Sequence, residues 1–226
     1  MDGLYIVATP IGNLEDMTYR AVRTLAEVDF ILAEDTRHTR KLLSHFDIHG
    51  ELVSCRAQNE ARVADTCIER LNAGETAAYV SDAGTPGLSD PGGVLASMVR
   101  AAGFPVRPIP GSSAFAAIVS IAGYRGSRVC FAGFLSPKGG RRRRRLQELL
   151  ADGDAFCVYE SPYRTVKLLE DLAALEPQRR LVLGREMTKV HEEYLEGSAE
   201  EIAAMLAERQ AVKGEVTVLV GPREKG

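Results

Sequence analysis

Apolar runs of four to seven residues recur along the chain, separated by segments whose apolar positions fall at helical spacing. In the first half the runs are "LYIVA" (4–8), "DFILAE" (29–34), "ELVS" (51–54), "TAAYV" (76–80) and "VRPIP" (106–110). Punctuation between them fits helices: Asn59 can cap a helix that Gly74 closes, and Asp90 with Pro91 supplies the N-cap and first-turn proline of a helix that Gly103 ends. Strands alternating with helices predict an α/β unit with a mostly parallel sheet covered on both faces.

After "SIAGYRGSR" (120–128) the texture changes. The runs "VCFAGF" (129–134), "AFCVYE" (155–160), "RLVLGRE" (180–186), "EEYLEG" (192–197) and "EVTVLV" (215–220) have fewer helices between them. One helix opens at Ser161 with Pro162 behind it, and another at Ser198, where Glu201 completes a capping box. A mixed sheet is expected here. The chain thus reads as two α/β domains, 1–121 and 122–226.

The segment "SDAGTPGLSDPGG" (81–93) follows the fourth run and is longer than the usual loop between a strand and a helix. In an open parallel sheet the ligand crevice lies beyond the carboxyl ends of the strands. Glycines let a ligand approach the backbone, whose amides can hold carboxylate or phosphate oxygens, and Asp82 adds an acceptor for an amine or sugar hydroxyl. "TPIGN" (9–13), "EDTRHT" (34–39) and "PGSSA" (110–114) end three other strands at the same edge. Neither GxGxxG nor GxxxxGK[ST] occurs, which removes the dinucleotide fingerprint and the P-loop.

Composition narrows the class. With 226 residues, 45% hydrophobic and 26% charged, the chain has the profile of a soluble globular protein. No apolar run approaches the roughly 18 residues of a membrane span, and the N-terminus lacks the basic region of a signal peptide, so a cytoplasmic protein with no membrane partner is expected. Cys55, Cys67, Cys130 and Cys157 are scattered without CxxC spacing, which favours buried free thiols over a disulfide framework or a zinc site. The net charge of −3 speaks against a nucleic-acid partner, but "KGGRRRRR" (138–145) speaks for one. Arginines near a helix N-terminus oppose the helix dipole, and a phosphate partner would offset that cost.

Eight blocks in order, "LYIVATPIGNLEDMTYRA", "AEDTRHTRKLL", "VSDAGTPGLSDPG", "PIPGSSA", "FAGFLSPK", "YESPYR", "REMTK" and "KGEVTVLV", span nearly the whole chain. Together they resemble the ribosomal RNA small subunit methyltransferase I family of the tetrapyrrole methylase superfamily. The resemblance implies 2′-O-methylation of a cytidine in the decoding region of small-subunit ribosomal RNA within the assembled subunit. It also implies a homodimer, with S-adenosyl-L-methionine in a cleft between two α/β domains. By the same resemblance Pro10, Asp82, Ala83, Gly84, Thr85, Ser113 and Ala114 line the cofactor, with Lys213 and Gly214 from the second domain. The chain departs from the family at "CRAQNE" (55–60), where Arg56 and Gln58 stand in a segment expected to bear histidines.

Methyl transfer to a ribose oxygen needs positioning and a group that takes the hydroxyl proton. Three clusters offer catalytic candidates: Glu34, Asp35 and Arg37 beside His38; Glu160 with Tyr163 and Arg164; and Arg185, Glu186 and Lys189. The first is expected to position substrate and act as base, while Arg185 and Lys189 face RNA phosphates. Lys138, Arg141, Arg142, Arg143, Arg144, Arg145 and Arg164 are the candidate RNA contacts. Two other readings share the fold: a tetrapyrrole C-methyltransferase, and a silent RNA-binding assembly factor that would bind RNA without S-adenosylmethionine.

Overall fold

Residues 1–124, 128–209 and 211–223 are described by the computed structural model of the chain. They form two compact units, 1–113 and 114–226.

In the first unit five strands, β1 (Leu4–Val7), β2 (Phe30–Ala33), β3 (Glu51–Ser54), β4 (Ala77–Val80) and β5 (Val106–Ile109), lie in the order β3-β2-β4-β1-β5, all parallel. Strand alternation distributes their side chains between two cores. Leu4, Phe30, Leu32, Ala77 and Tyr79 pack with Val63, Cys67, Leu95 and Val99 from α3 (Glu60–Asn72) and α4 (Gly93–Ala101). Tyr5, Val7, Ile31, Ala33, Ala78 and Val80 pack on the other face with Ala21 and Leu25 of α1 (Tyr19–Glu27) and Leu43 of α2 (Thr36–His45). The mostly parallel, doubly covered sheet read from the runs is therefore present.

Helix α4 starts differently from the sequence expectation. Its N-cap is Gly92, not Asp90, and no side chain of its own segment caps it. Glu60 in α3, 6% exposed, accepts from the amides of Gly92 at 2.8 Å and Leu95 at 2.9 Å. A carboxylate distant in sequence satisfies the orphan donors and the positive end of the helix.

The second unit opens with α5 (Ala114–Ile121), which packs against β8 (Arg180–Arg185) and β10 (Val216–Val220). That packing moves the division from 121/122 to 113/114. With β6 (Val129–Phe134), β7 (Ala155–Glu160) and β9 (Glu193–Ser198) the sheet runs β6-β7-β10-β8-β9. Only β6 and β7 are parallel, so the sheet is mixed as expected. Helices α6 (Gly139–Ala151), α7 (Pro162–Leu175) and α8 (Ala199–Ala207) bury Leu146, Leu149, Leu168, Leu172 and Ile202 against Phe156, Val158 and Val218. The Ser198–Glu201 capping box on α8 is formed as the sequence predicts. Cys55, Cys67 and Cys157 are buried free thiols, whereas Cys130 on the edge strand is exposed. Among the described residues no helix is long and apolar enough to cross a membrane.

Candidate active site

The four loops at the carboxyl edge of the first sheet are tied to one another. Thr9, beyond β1, and Gly84 exchange backbone hydrogen bonds of 2.9 and 3.0 Å in an isolated antiparallel bridge. Gly84 has φ 73°, and a Cβ there would press on Ile11 at 3.3 Å, so the close approach of these loops requires glycine. The Thr85 hydroxyl donates to the Ser112 carbonyl at 3.0 Å. The Asp82 amide donates to Glu34 Oε2 at 3.4 Å, and the Asp35 amide donates to Asp82 Oδ1 at 3.1 Å. Asp82, Gly84 and Thr85 thus link the loops after β1, β2 and β5 to that after β4. Pro10 and Ala83 are half-buried in the same group of loops, and Ser113 ends the unit.

Adjacent carboxyls in this edge have opposite environments. Asp35 caps α2, accepting from the Arg37 amide at 2.8 Å, and its second oxygen takes the Arg37 guanidinium at 2.8 Å. The Arg37 side chain holds its carboxyl well below the usual carboxylate range. Glu34 is pushed upward, first by burial, with the charges of Asp82 and Asp90 adding and the Asp82 amide opposing. Two neighbouring acids pushed apart in this way are suited to different tasks, one a fixed anion and the other a proton acceptor. His38 is exposed in the first turn of α2.

The "CRAQNE" segment borders this edge. The Cys55 amide donates to Ala33 at 2.8 Å, and Arg56 Nε donates to the Glu34 carbonyl at 3.3 Å. The sequence departure therefore falls beside Glu34. Glu60, the last residue of that segment, and Thr9 were not singled out from sequence, since a lone Glu in a helix start and a Thr before Pro carry no local signal. The Thr9 hydroxyl is buried and has no hydrogen-bond partner among the described residues, next to the Gly84 bridge. An orphan hydroxyl, a glycine cradle and the acceptor Asp82 fit a ligand with both polar groups and a compact body.

In the second unit Glu160 ends β7 and is 2% exposed. One oxygen accepts from the Ser161 amide at 2.7 Å and from Arg164 at 2.5 Å, while Oε2 is buried with no partner among the described residues. Arg185 is held on three sides. Its guanidinium bonds Glu193 at 2.9 Å and the carbonyls of Lys213 at 3.1 Å and His191 at 3.2 Å. Each guanidinium nitrogen of Arg185 thus already donates once within the second unit, to β9, to the β8–β9 connection and to the approach to β10, unlike the open phosphate-facing group expected from sequence. Lys189 likewise bridges Glu186 at 3.0 Å and Glu215 at 3.1 Å. Gly214 runs against the Glu186 side chain, with φ 88° and no room for a Cβ. Glu186 accepts from the Glu215 amide at 2.8 Å, and Lys213 is exposed.

The arginine run forms the first turns of α6, with Lys138 as N-cap. Arg142 departs from the expected RNA contacts. It is 3% exposed and bonds Asp171 of α7 through Nε at 2.9 Å and NH2 at 2.7 Å. Positions 142, 146, 149 and 150 are the buried face of α6, so helical spacing turns one of the five arginines inward. Arg143 lies 3.6 Å from the same Asp171, and Arg145 pairs with Glu148 at 2.9 Å. Arg141 and Arg144 are exposed, and among the described residues neither forms an ion pair.

A parallel sheet whose loops converge on a glycine cradle, joined to a mixed-sheet unit, defines a class of enzymes. Residues 3–203 match the family described as Tetrapyrrole (Corrin/Porphyrin) Methylases. The chain belongs to this family and is an S-adenosylmethionine-dependent methyltransferase. It is similar over 218 residues, 96% of its length, to the Ribosomal RNA small subunit methyltransferase I of Borrelia garinii subsp. bavariensis, at 47% identity and covering 97% of that protein. The protein of that name from Thermotoga maritima is 40% identical over 224 residues, covering 99% of this chain and all of that one. Among solved structures, the methyltransferase CobJ aligns with a TM-score of 0.71 at 20% identity, covering 100% and 98% of the two chains. A uroporphyrin-III C-methyltransferase from Thermus thermophilus, complexed with S-adenosylhomocysteine, aligns at 0.66 and 19%, covering 97% of each.

Proposed function

We propose that this protein methylates the ribose 2′-oxygen of a cytidine in the decoding region of small-subunit ribosomal RNA. The substrate in this reading is the assembled subunit, and the active species is a homodimer in the cytoplasm. The observation that carries RNA over a tetrapyrrole is the similarity, end to end in both chains, to the ribosomal RNA methyltransferases. The exposed Arg141 and Arg144 agree with it, since cations at a helix start suit the phosphates of RNA.

In this reading Asp82, Ala83, Gly84 and Thr85 hold S-adenosylmethionine with Pro10 and Ser113. Ala114, Lys213 and Gly214 are the candidates from the second unit. When bound, the cofactor supplies a methyl group already activated on a sulfonium. What the chain must add is orientation and removal of one proton. Asp82 is oriented by the Asp35 amide, and its exposed carboxylate would accept hydrogen bonds from the cofactor's polar groups. Glu34 takes the hydroxyl proton, a task suited to a carboxylate whose burial raises its basicity. Asp35 and Arg37 remain a fixed ion pair that shapes the loop. Glu160 and Arg164 form a second, buried pair at the end of β7, and Glu186 with Lys189 shape the approach to β10.

Methyl transfer from labelled S-adenosylmethionine to small ribosomal subunits lacking the modification tests this. Label in the RNA supports it. Label only in a tetrapyrrole acceptor contradicts it, and RNA binding without any cofactor binding identifies the silent assembly factor instead.

A further inference from the structure

The edge strand β6 contains a register shift. Phe131 pairs with Cys157, but after the shift Gly133 pairs with Val158 and Phe134 with Tyr159. In a regular strand Phe131 and Phe134, three apart, would point to opposite faces. The inserted residue returns Phe134 to the face of Phe131, and both rings flank Tyr159, with centroids 4.9 and 5.7 Å away and edge-on geometry. Tyr159 is itself fixed, since its hydroxyl accepts from the Phe115 amide at 3.1 Å. Phe134 is thus a supported ring that remains 59% exposed.

A second aromatic stands at the same end of the sheet. Strands β6 and β7 are parallel, so their carboxyl ends share one edge. Tyr163 follows β7 in the first turn of α7 and is 94% exposed. The chain leaving Phe134 reaches Lys138, the N-cap of α6, in four residues, a span of at most about 14 Å. Arg141 and Arg144 follow on the exposed side of that helix, the inward-turned Arg142 having gone to Asp171. Two exposed rings at one end of the sheet, followed within a few residues of Phe134 by cations with no ion pair among the described residues, match the chemistry of single-stranded nucleic acid, whose bases stack on aromatic faces while its phosphates follow positive charge. A purely apolar protein partner would leave the arginines uncompensated.

We infer that Phe134 and Tyr163 are a stacking platform for unpaired RNA bases, with Lys138, Arg141 and Arg144 on the adjoining phosphates. The inference rests on the RNA reading above and names how the substrate is held. These are positioning residues: they seat the strand outside the reacting nucleotide.

The chain contains no tryptophan, so Phe134→Trp introduces a single reporter. Titration with a short unpaired RNA should quench its emission. Phe134→Leu and Tyr163→Leu should each weaken binding of that RNA roughly tenfold. Phe134→Tyr and Tyr163→Phe should restore it, and a duplex of the same sequence should bind all variants alike. In methyl transfer the leucine variants should raise KM for RNA while keeping kcat at saturation. Circular dichroism and S-adenosylmethionine binding confirm that each variant is folded. The inference is overturned if wild type binds and methylates RNA while Phe134→Leu behaves identically, or if the reporter's emission ignores bound RNA. A shift in self-association by sedimentation with RNA affinity unchanged also overturns it, by assigning the rings to a protein interface. Failure of wild type to bind any RNA overturns both this inference and the reading beneath it.

Discussion

Asp82 and Glu34 stand in reciprocal contact across the carboxyl edge of the first sheet. The amide of Asp82 donates to the Glu34 carboxylate at 3.4 Å, while the Asp82 carboxylate accepts from the amide following Glu34 at 3.1 Å. Neither residue is buried deeply enough for the pair to be a core element. Replacing Asp82 with Ala should therefore leave the melting temperature within a few degrees of wild type and abolish detectable methyl transfer. Calorimetric titration with S-adenosylmethionine should show affinity reduced at least tenfold, as expected for a lost charged hydrogen-bond partner. Unchanged affinity would remove Asp82 from the cofactor site.

Glu34→Gln keeps a carbonyl able to accept from the Asp82 amide, so the loops stay tied. With proton acceptance gone, kcat should fall by about 10²- to 10⁴-fold with cofactor affinity retained. In wild type the rate should rise with pH through a limb lying above the ordinary carboxylate range, because burial and the charges of Asp82 and Asp90 favour the protonated form of Glu34. The substitution should erase that limb. A limb of unchanged position in the variant would assign the proton to another group.

The arginine run should divide into two behaviours. Arg142→Ala leaves the buried Asp171 with only the longer contact to Arg143, at a cost of about 3–5 kcal/mol, measurable by denaturant unfolding. The pair Arg142→Met with Asp171→Leu should recover most of that loss. Arg141→Gln and Arg144→Gln should leave stability unchanged and weaken RNA binding. Each should also reduce the slope of log affinity against log salt by about 0.7 for a single-stranded contact. Loss of stability in the second set, or of salt dependence alone in the first, would reverse the assignment.

Glu193 receives Arg209 and Arg185, and the hydrogen bonds from Arg209 lead in holding its carboxyl at about 2. Below the usual glutamate range the unfolded chain binds a proton that the folded chain does not. The stabilisation is thus fully present above about pH 4.5 and is lost as pH falls toward about 2. Glu193→Gln should lower stability at neutral pH by about 2 kcal/mol and flatten its dependence on pH across that window. Acid titration of the urea midpoint in both proteins measures the difference.

The ten strands among the described residues were legible as runs: β2, β4 and β10 are buried throughout, and the edge strands kept enough apolar residues to stand out between their turns. Their order was not. The sequence is silent on β3-β2-β4-β1-β5, because strand order depends on how the crossover connections pass over the two faces and not on any single run. The start of α4 was misread because the cap comes from Glu60, more than thirty residues earlier, while Asp90 and Pro91 offered a sufficient local pattern. Among the candidate residues, the tie between "EDTRHT" and the glycine-rich loop followed from their places at strand ends. Arg142 and Arg185 were read as ligands for phosphate because charge is visible in a sequence and its partner is not. For Arg142 a signal existed: it lies four, seven and eight residues before Leu146, Leu149 and Leu150, on the apolar face of α6. Phe134 gave no signal, since only the register shift in β6 turns it toward Tyr159.

In the proposed reaction the methyl group goes to a ribose oxygen of RNA. Alkaline hydrolysis of RNA labelled by this enzyme tests it most directly, because a methylated 2′-oxygen cannot attack the neighbouring phosphate. Methylation at the proposed position leaves all label in one alkali-resistant dinucleotide with cytidine on its 5′ side. Label released as ordinary mononucleotides would place the methyl on a base and contradict it.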